Sequence, residues 1–491
     1  ARQSFIWDLP AIEQQVVTDN VVEFMAEKMS RLAAASQRAL QLASCIGHRF
    51  ELHRLAVVSG EPPRRTAAAL WEALREGFIL PIGDAYRLSG ADTALDAEDE
   101  SDESGTASGQ LAYRFVHDRV RQVAYAKLSD DQRLAAHLQL GRQALRAPAG
   151  EVADEELFEA VNHLNQASAL LTDLAEREQV ARLNLRAGQR AKSATAYVAA
   201  SQYLQAARAQ LPESCWETDY SFALQLQVAA AESAYLSAQH EQAEALFDAA
   251  LGRARTDLDK AHIHTLLMNL YGTQGKFVEA LRAGRAGLAL LGVTFPESDD
   301  ERKVAIGHEM GLMQQQLGDR PIAELVDAPL MTDPAQKAAL RLLADLFVPA
   351  YFISPPLFLL AVAKQVNISL RYGTSELSDQ GYMTHGYVLA AVFGQHQQGY
   401  GFGKLALALN QRFGYTDVAC KLYFLFGVFN HFCEPLPSAL RYFQASYEAG
   451  LRSGDFLYLS YTANHSITVR LGMGEDLVAV REQASRLLQL M

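Results

Sequence analysis

Apolar residues along most of this chain recur at steps of three and four, the spacing that gives an α-helix one buried face. Thr18-Asp19-Asn20 followed by Val21, Val22, Met25 and Met29 offers a polar cap and then helical spacing. Further helices are predicted over 35–45, 52–58 and 64–76, the last opened by Pro62-Pro63, because proline is tolerated in a first turn. Phe78-Ile79-Leu80 is a short apolar run, and Tyr86-Arg87-Leu88 follows it. Leu111-Ala112-Tyr113-Arg114-Phe115-Val116 then alternates with the period of a strand.

Three helices followed by a hairpin with a long tip is the element order of a winged helix, here over residues 31–146. The tip, about 89–110, carries Asp92, Asp96, Glu98, Asp99, Glu100, Asp102 and Glu103 with few apolar residues. Such a segment buries too little surface to offset its ordering entropy, and a mobile loop is expected. An acidic docking segment is the alternative.

From residue 147 to 491 nearly everything reads as helix, and a repeat emerges. Helical hairpins that cross closely need small residues at i and i+7 on one face, with a larger one between. Ala243, Phe247 and Ala250 fit, as do Ala280, Gly284 and Gly287; Gly399, Gly403 and Ala406; Ala439, Phe443 and Ser446; and, more loosely, Ala200, Leu204 and Ala207. Successive starts at 200, 243, 280, 399 and 439 are spaced like helix-pair repeats if the long interval holds about three units. The expected fold class is mainly α, a winged-helix-like module followed by a TPR-like α-solenoid.

Composition agrees with a protein that buries a large apolar area: 49% hydrophobic and 21% charged over 491 residues. The net charge of −13 repels a phosphate backbone on average, and the acidic tip would meet any groove first, so no nucleic-acid partner is expected. Cys45, Cys215, Cys420 and Cys433 are scattered without a CxxC pair, which favours buried thiols in a reducing, cytoplasmic setting. The most apolar stretch, 342–363, is broken by Asp345, Pro349, Pro355 and Pro356; it reads as helix ends around a turn, so no membrane partner is expected either. The chain opens on Ala1 and stops inside an apparent helix, which points to an excised stretch of a longer polypeptide.

Several blocks resemble a bacterial family of very large signalling proteins. They are Thr18-Asp19-Asn20-Val21-Val22, the run from Arg114 through His117-Asp118 to Tyr125, Asn184 through Gly188 to Lys192, Pro329-Leu330-Met331-Thr332-Asp333-Pro334 and Ser369-Leu370-Arg371-Tyr372-Gly373. Members combine a Ser/Thr-kinase-like domain, a STAND-class (AAA-like) ATPase, helical repeats, and sensor and output modules such as a histidine kinase or diguanylate cyclase. The resemblance implies the region after the ATPase core: residues 1–30 as the end of its lid, then the winged helix, then the array. ATP or ADP and Mg would belong to the parent, with no cofactor and no catalytic residue in this chain. The implied partner is a protein or an adjacent domain, with a small-molecule inducer as the alternative.

Within that resemblance, Val116-His117-Asp118 looks like the Met-His-Asp triplet of related immune-receptor ATPases, whose imidazole contacts the β-phosphate of ADP. A histidine at a helix start can donate to a phosphate, and Asp118 could cap the helix and orient the ring. The plainer reading is that both residues only cap the helix. Gly399-Tyr400-Gly401-Phe402-Gly403-Lys404 lacks the Walker A spacing and the following Ser or Thr, and is read as close helix packing. His262 with His264, and His431 with Cys433, lie two apart on different helix faces and make poor metal pairs. Aromatic residues crowd 351–432, either as core between stacked helices or lining a groove.

Overall fold

The computed structural model describes residues 17–83, 111–145 and 154–490. The acidic tip and Tyr86-Arg87-Leu88 lie outside the described residues. The chain divides into two compact units, Ala1–Ser237 and Ala238–Met491.

In the first unit, α1 (Val17–Ser30), α2 (Ala34–Ile46), β1 (Arg49–Glu51), α3 (Leu52–Ser59), α4 (Pro63–Arg75), β2 (Ile79–Ile82) and β3 (Ala112–Phe115) follow in order. Thr18, Asp19 and Asn20 fall inside α1 rather than ahead of it as a cap. The three strands form an antiparallel sheet in the order β1-β3-β2, with Phe50 opposite Tyr113 and Ile79 opposite Phe115. Strand β1 is not legible in the hydrophobic pattern, because only Phe50 of its three residues is apolar and buried. Leu40, Leu55, Leu70, Phe78 and Phe115 are buried in one core between sheet and helices. Fully burying a side chain of this size contributes about 1.5–3 kcal/mol.

Helices α5 (Asp118–Ala126) and α6 (Asp130–Ala144) continue the unit. Ser129 starts α6 through a capping box, its hydroxyl accepting from the Gln132 N–H while the Gln132 side chain accepts from the Ser129 N–H. Then come α7 (Asp154–Gln166), α8 (Leu174–Ser193), α9 (Tyr197–Gln210) and α10 (Tyr220–Leu236). Ala200, Leu204 and Ala207 are buried, and Leu204 fills the space left by Gly188, where a Cβ would stand 2.6 Å from its Cγ. Asn165 and Asn184 exchange two 2.8 Å hydrogen bonds between α7 and α8. The sheet module and the first helical pairs share this unit, and Arg54 on α3 is ion-paired with Glu159 on α7.

The second unit contains α11 (His240–Arg253), α12 (Asp257–Thr273), α13 (Phe277–Leu290), α14 (Asp299–Leu317), α15 (Pro334–Asp345), α16 (Phe347–Ile353), α17 (Pro355–Tyr372), α18 (Ser378–Ala391), α19 (His396–Phe413), α20 (Ala419–Phe429), α21 (Ala439–Ser453), α22 (Phe456–Gly472) and α23 (Leu477–Leu490). The chain is a mainly α, TPR-like α-solenoid, and its small-residue positions are the crossing points. Gly399 faces Gly386 so closely that a Cβ on it would lie 2.5 Å from the Gly386 carbonyl oxygen. Gly284 and Gly287 leave room for Leu346 and Leu342, and Gly403 for Phe426. The glycine run 399–403 lies within α19, packed as helix.

One expectation changes. The interval between the starts at 280 and 399 does not hold three regular pairs. Helix α14 packs against α17, far along the chain, and the 3₁₀ segment Ile322–Asp327 lies on α19, where Arg412 donates to the Val326 carbonyl. Asn367 Nδ2 donates to the Glu309 carboxylate at 2.7 Å, and Lys364 pairs with the same group at 2.7 Å. Residues 299–333 are thus an insertion within the repeat series. Its end is tied to the end of α17 by a parallel bridge, Leu330 to Thr374, with Met331 N–H donating to the Thr374 carbonyl at 2.8 Å. Gly373 stands at φ +101° with the Pro329 carbonyl 2.3 Å from where a Cβ would be, so only glycine fits. Two blocks noted in the sequence, 329–334 and 369–373, meet here.

Candidate functional site

His117 is the N-cap of α5, with extended backbone; its Nδ1 accepts from the Arg119 N–H at 3.1 Å. A neutral ring bonded this way carries its proton on Nε2, and the residue is exposed, so one donor is available outwards. Asp118 does not take the role expected of it. It occupies the first turn and accepts from Arg121 Nε at 2.8 Å and Gln122 Nε2 at 2.9 Å. The Arg121 guanidinium holds its carboxyl below the ordinary aspartate value. The ring of His117 is therefore fixed by the backbone, because Asp118 is turned along the helix towards Arg121.

Sequence reasoning did not find a cleft of about 570 Å³ in the second unit, lined by α13, the 294–297 turn, Arg302 and the junction of α16 with α17. Its floor is built by Arg302, a residue only 9% exposed. The guanidinium donates to the Pro296 carbonyl at 2.9 Å, the Glu297 carbonyl at 2.7 Å and Asp299 Oδ1 at 2.6 Å. Ser354 caps α17 by accepting from the Leu357 N–H, and its hydroxyl donates to the same Asp299 oxygen at 2.9 Å. Arg285 on the rim pairs with Glu297 at 2.6 Å. The expected turn in the 342–363 stretch is thus two turns, with Ser354 between α16 and α17.

The second unit also gathers charged side chains, of which Asp379 is fully buried and Arg341 exposed. Arg341 Nε lies 3.2 Å from Asp345 Oδ2 on α15. Lys421 on α20 donates to Gln380 at 3.2 Å and stands over the Phe347 ring at 4.9 Å. Asp379 accepts from Asn410 at 3.0 Å. Burial lowers the Lys421 pKa and raises that of Asp345; it pushes Asp379 up to about 7, against the hydrogen bond from Asn410.

The aromatic residues of 351–432 are not uniformly buried. Tyr382, Phe402, Phe426 and Phe429 are core, whereas Tyr351, Phe352, Phe393 and Phe432 are exposed. Among the described residues no group of three or more His, Cys, Asp or Glu could hold a metal ion, and no helix is long and apolar enough to cross a membrane.

These features define a helical repeat chain with surfaces for contact. No protein-family model matches it. It is 22% identical over 527 residues, covering 95% of the chain, to hybrid signal transduction histidine kinase G of Dictyostelium discoideum. The chain spans 15% of that protein's length. Among solved structures it superposes, with a TM-score of 0.42 and 12% identity, on a signal transduction ATPase with numerous domains carrying a tetratricopeptide repeat sensor, from Pyrococcus horikoshii. That likeness covers 100% of this chain and 59% of the other.

Proposed function

We propose that this chain is a non-catalytic regulatory region of a larger signal-transduction polypeptide, with the sheet module acting as a winged helix and the array as the surface that binds a protein partner. The observation that carries this reading is a similarity running over 95% of the chain yet touching only 15% of a signal-transduction kinase. A shared stretch of that kind is a module within a larger protein. In the parent, His117 would donate from Nε2 to a nucleotide phosphate held by an ATPase core, with its ring already oriented by the Arg119 N–H. A partner that favours one position of the module shifts the switch by its differential affinity for the two states.

Two measurements test this. The chain incubated with Mg-ATP is expected to release no phosphate, and turnover would overturn the non-catalytic reading. In the longer polypeptide, His117→Ala is expected to speed ADP release about tenfold, the worth of one hydrogen bond to a charged group. An unchanged rate would remove His117 from the switch.

A second reading, a small-molecule sensor, is favoured by the cleft over Arg302, whose size suits a compact ligand and whose wall mixes apolar and cationic groups.

A further inference from the structure

The cleft carries three guanidinium groups, Arg282, Arg285 and Arg302, against one carboxylate, Glu297. They are not equivalent. Arg302 is consumed by the turn it holds. Arg285, its side chain 27% exposed, donates to the Phe295 carbonyl at 3.3 Å and to Glu297, whose side chain is 84% exposed, so the carboxylate stands in water and is cheaply exchanged for another. Arg282 is exposed and has no carboxylate partner among the described residues. The cleft therefore presents one open and one exchangeable guanidinium side by side on α13.

The remaining wall is apolar. Val278, Leu281, Ile353 and Leu357 line it, and Val278 and Ile353 keep about half their surface in water. Tyr351 and Phe352 extend that apolar surface beyond the rim, each more than half exposed, with Phe352 stacked on Phe277 at 5.3 Å. An exposed apolar strip ending at guanidinium groups is complementary to a molecule with a hydrocarbon body and an anionic head.

We propose that this cleft binds an aliphatic carboxylate, its head on Arg282 and Arg285 and its chain along Val278, Leu281, Ile353 and Leu357. The proposal rests on the sensor reading and names its ligand class. A carboxylate matches the planar guanidinium fork, and the bound head would displace Glu297 from Arg285. Each methylene shielded by the wall strengthens binding about fourfold, so affinity rises with chain length until the cleft is filled.

The experiment is calorimetric titration of the 491-residue chain with sodium decanoate below its micelle concentration, with acetate and decylamine as controls. Decanoate is expected to bind, with Arg282→Glu weakening it at least tenfold and Ala286→Trp, which fills the cleft from an exposed position on α13, abolishing it. Circular dichroism and melting of both variants establish that they fold. Decylamine binding as tightly, and lost in Ala286→Trp, would overturn the anion assignment while leaving a sensor cleft. Acetate binding equally well would overturn the apolar half of the proposal. No binding by any of the three would overturn the proposal and remove the support for the sensor reading, leaving the partner-binding reading untouched.

Discussion

The imidazoles of His137 and His163 face each other in the first unit with their Nδ1 atoms 2.9 Å apart. Tyr125 meets the far nitrogen of His137 at 3.1 Å, so the pair links α5, α6 and α7. One Nδ1 must donate and the other accept, and protonating both rings would set N–H against N–H. Burial lowers the pKa of both, and with the neighbouring His137 it brings His163 down to about 4.

Unfolded histidines titrate near ~6.5, so between about pH 6.5 and 4 the unfolded chain holds more protons than the folded one. The first unit is expected to lose stability as pH falls through that window and to stay level above it, by up to about 3 kcal/mol from His163. Urea unfolding followed by hydrogen exchange at residues of α6 and α7 checks this. His163→Gln, which cannot take up the proton, is expected to flatten the slope; an unaltered slope would assign it elsewhere.

Asp379 predicts the opposite dependence in the second unit. Its folded pKa of about 7 lies above the unfolded value near ~3.9, so its contribution is full below about pH 4 and lost as pH rises through about 7. Asp379→Asn keeps an acceptor for Asn410 and carries no charge. At pH above about 7.5 it is expected to raise the stability of this unit by on the order of 2–4 kcal/mol. A destabilised variant at alkaline pH would show that the ionised carboxylate is needed.

The glycines of α14 and α19 should separate cleanly. Gly399→Ala drives a methyl group onto the Gly386 carbonyl and is expected to cost about 1–3 kcal/mol or more, because backbone cannot step aside. Gly307→Ala meets nothing within 4 Å and should gain up to about 1 kcal/mol from helix propensity. Thermal unfolding of both variants decides the matter. Equal effects would refute the assignment of 399 as a crossing point.

Arg302→Lys tests the cleft floor. Lysine keeps the charge but cannot serve the Pro296 and Glu297 carbonyls together with Asp299. A loss of about 2 kcal/mol is expected, the cost of leaving buried acceptors unpaired. Faster exchange confined to residues 294–302 and the first turn of α17 is the signature to look for.

Much of this architecture is legible in the sequence because helices announce themselves locally. Pro62-Pro63 marks a start, and the small-residue sets beginning at 200, 243, 280, 399 and 439 all lie at buried crossing faces. What escapes depends on which distant segments meet. Residues 299–317 form a helix, and nothing local says that this α14 will pair with α17. The cleft draws on Arg282, Arg302 and Ser354, three stretches with no shared motif. His137 and His163 are 26 residues apart, and their contact depends on the rotation of two helices. His117 stands out through resemblance; that its ring, and not Asp118, caps the helix is decided by the extended backbone at 117, which no local pattern specifies.

The pairing of α14 with α17 also sets a timetable for synthesis. A hairpin of adjacent helices can close as soon as its second helix emerges from the ribosome. Helix α14 must wait from Leu317 until Tyr372 has been made, a few seconds at ~5–20 residues per second. During that interval the surface destined for α17, including Met313, is open to other contacts. The insertion is thus a place where a nascent chain of this protein leaves an apolar face uncovered while synthesis continues, and where slowed translation would prolong that exposure.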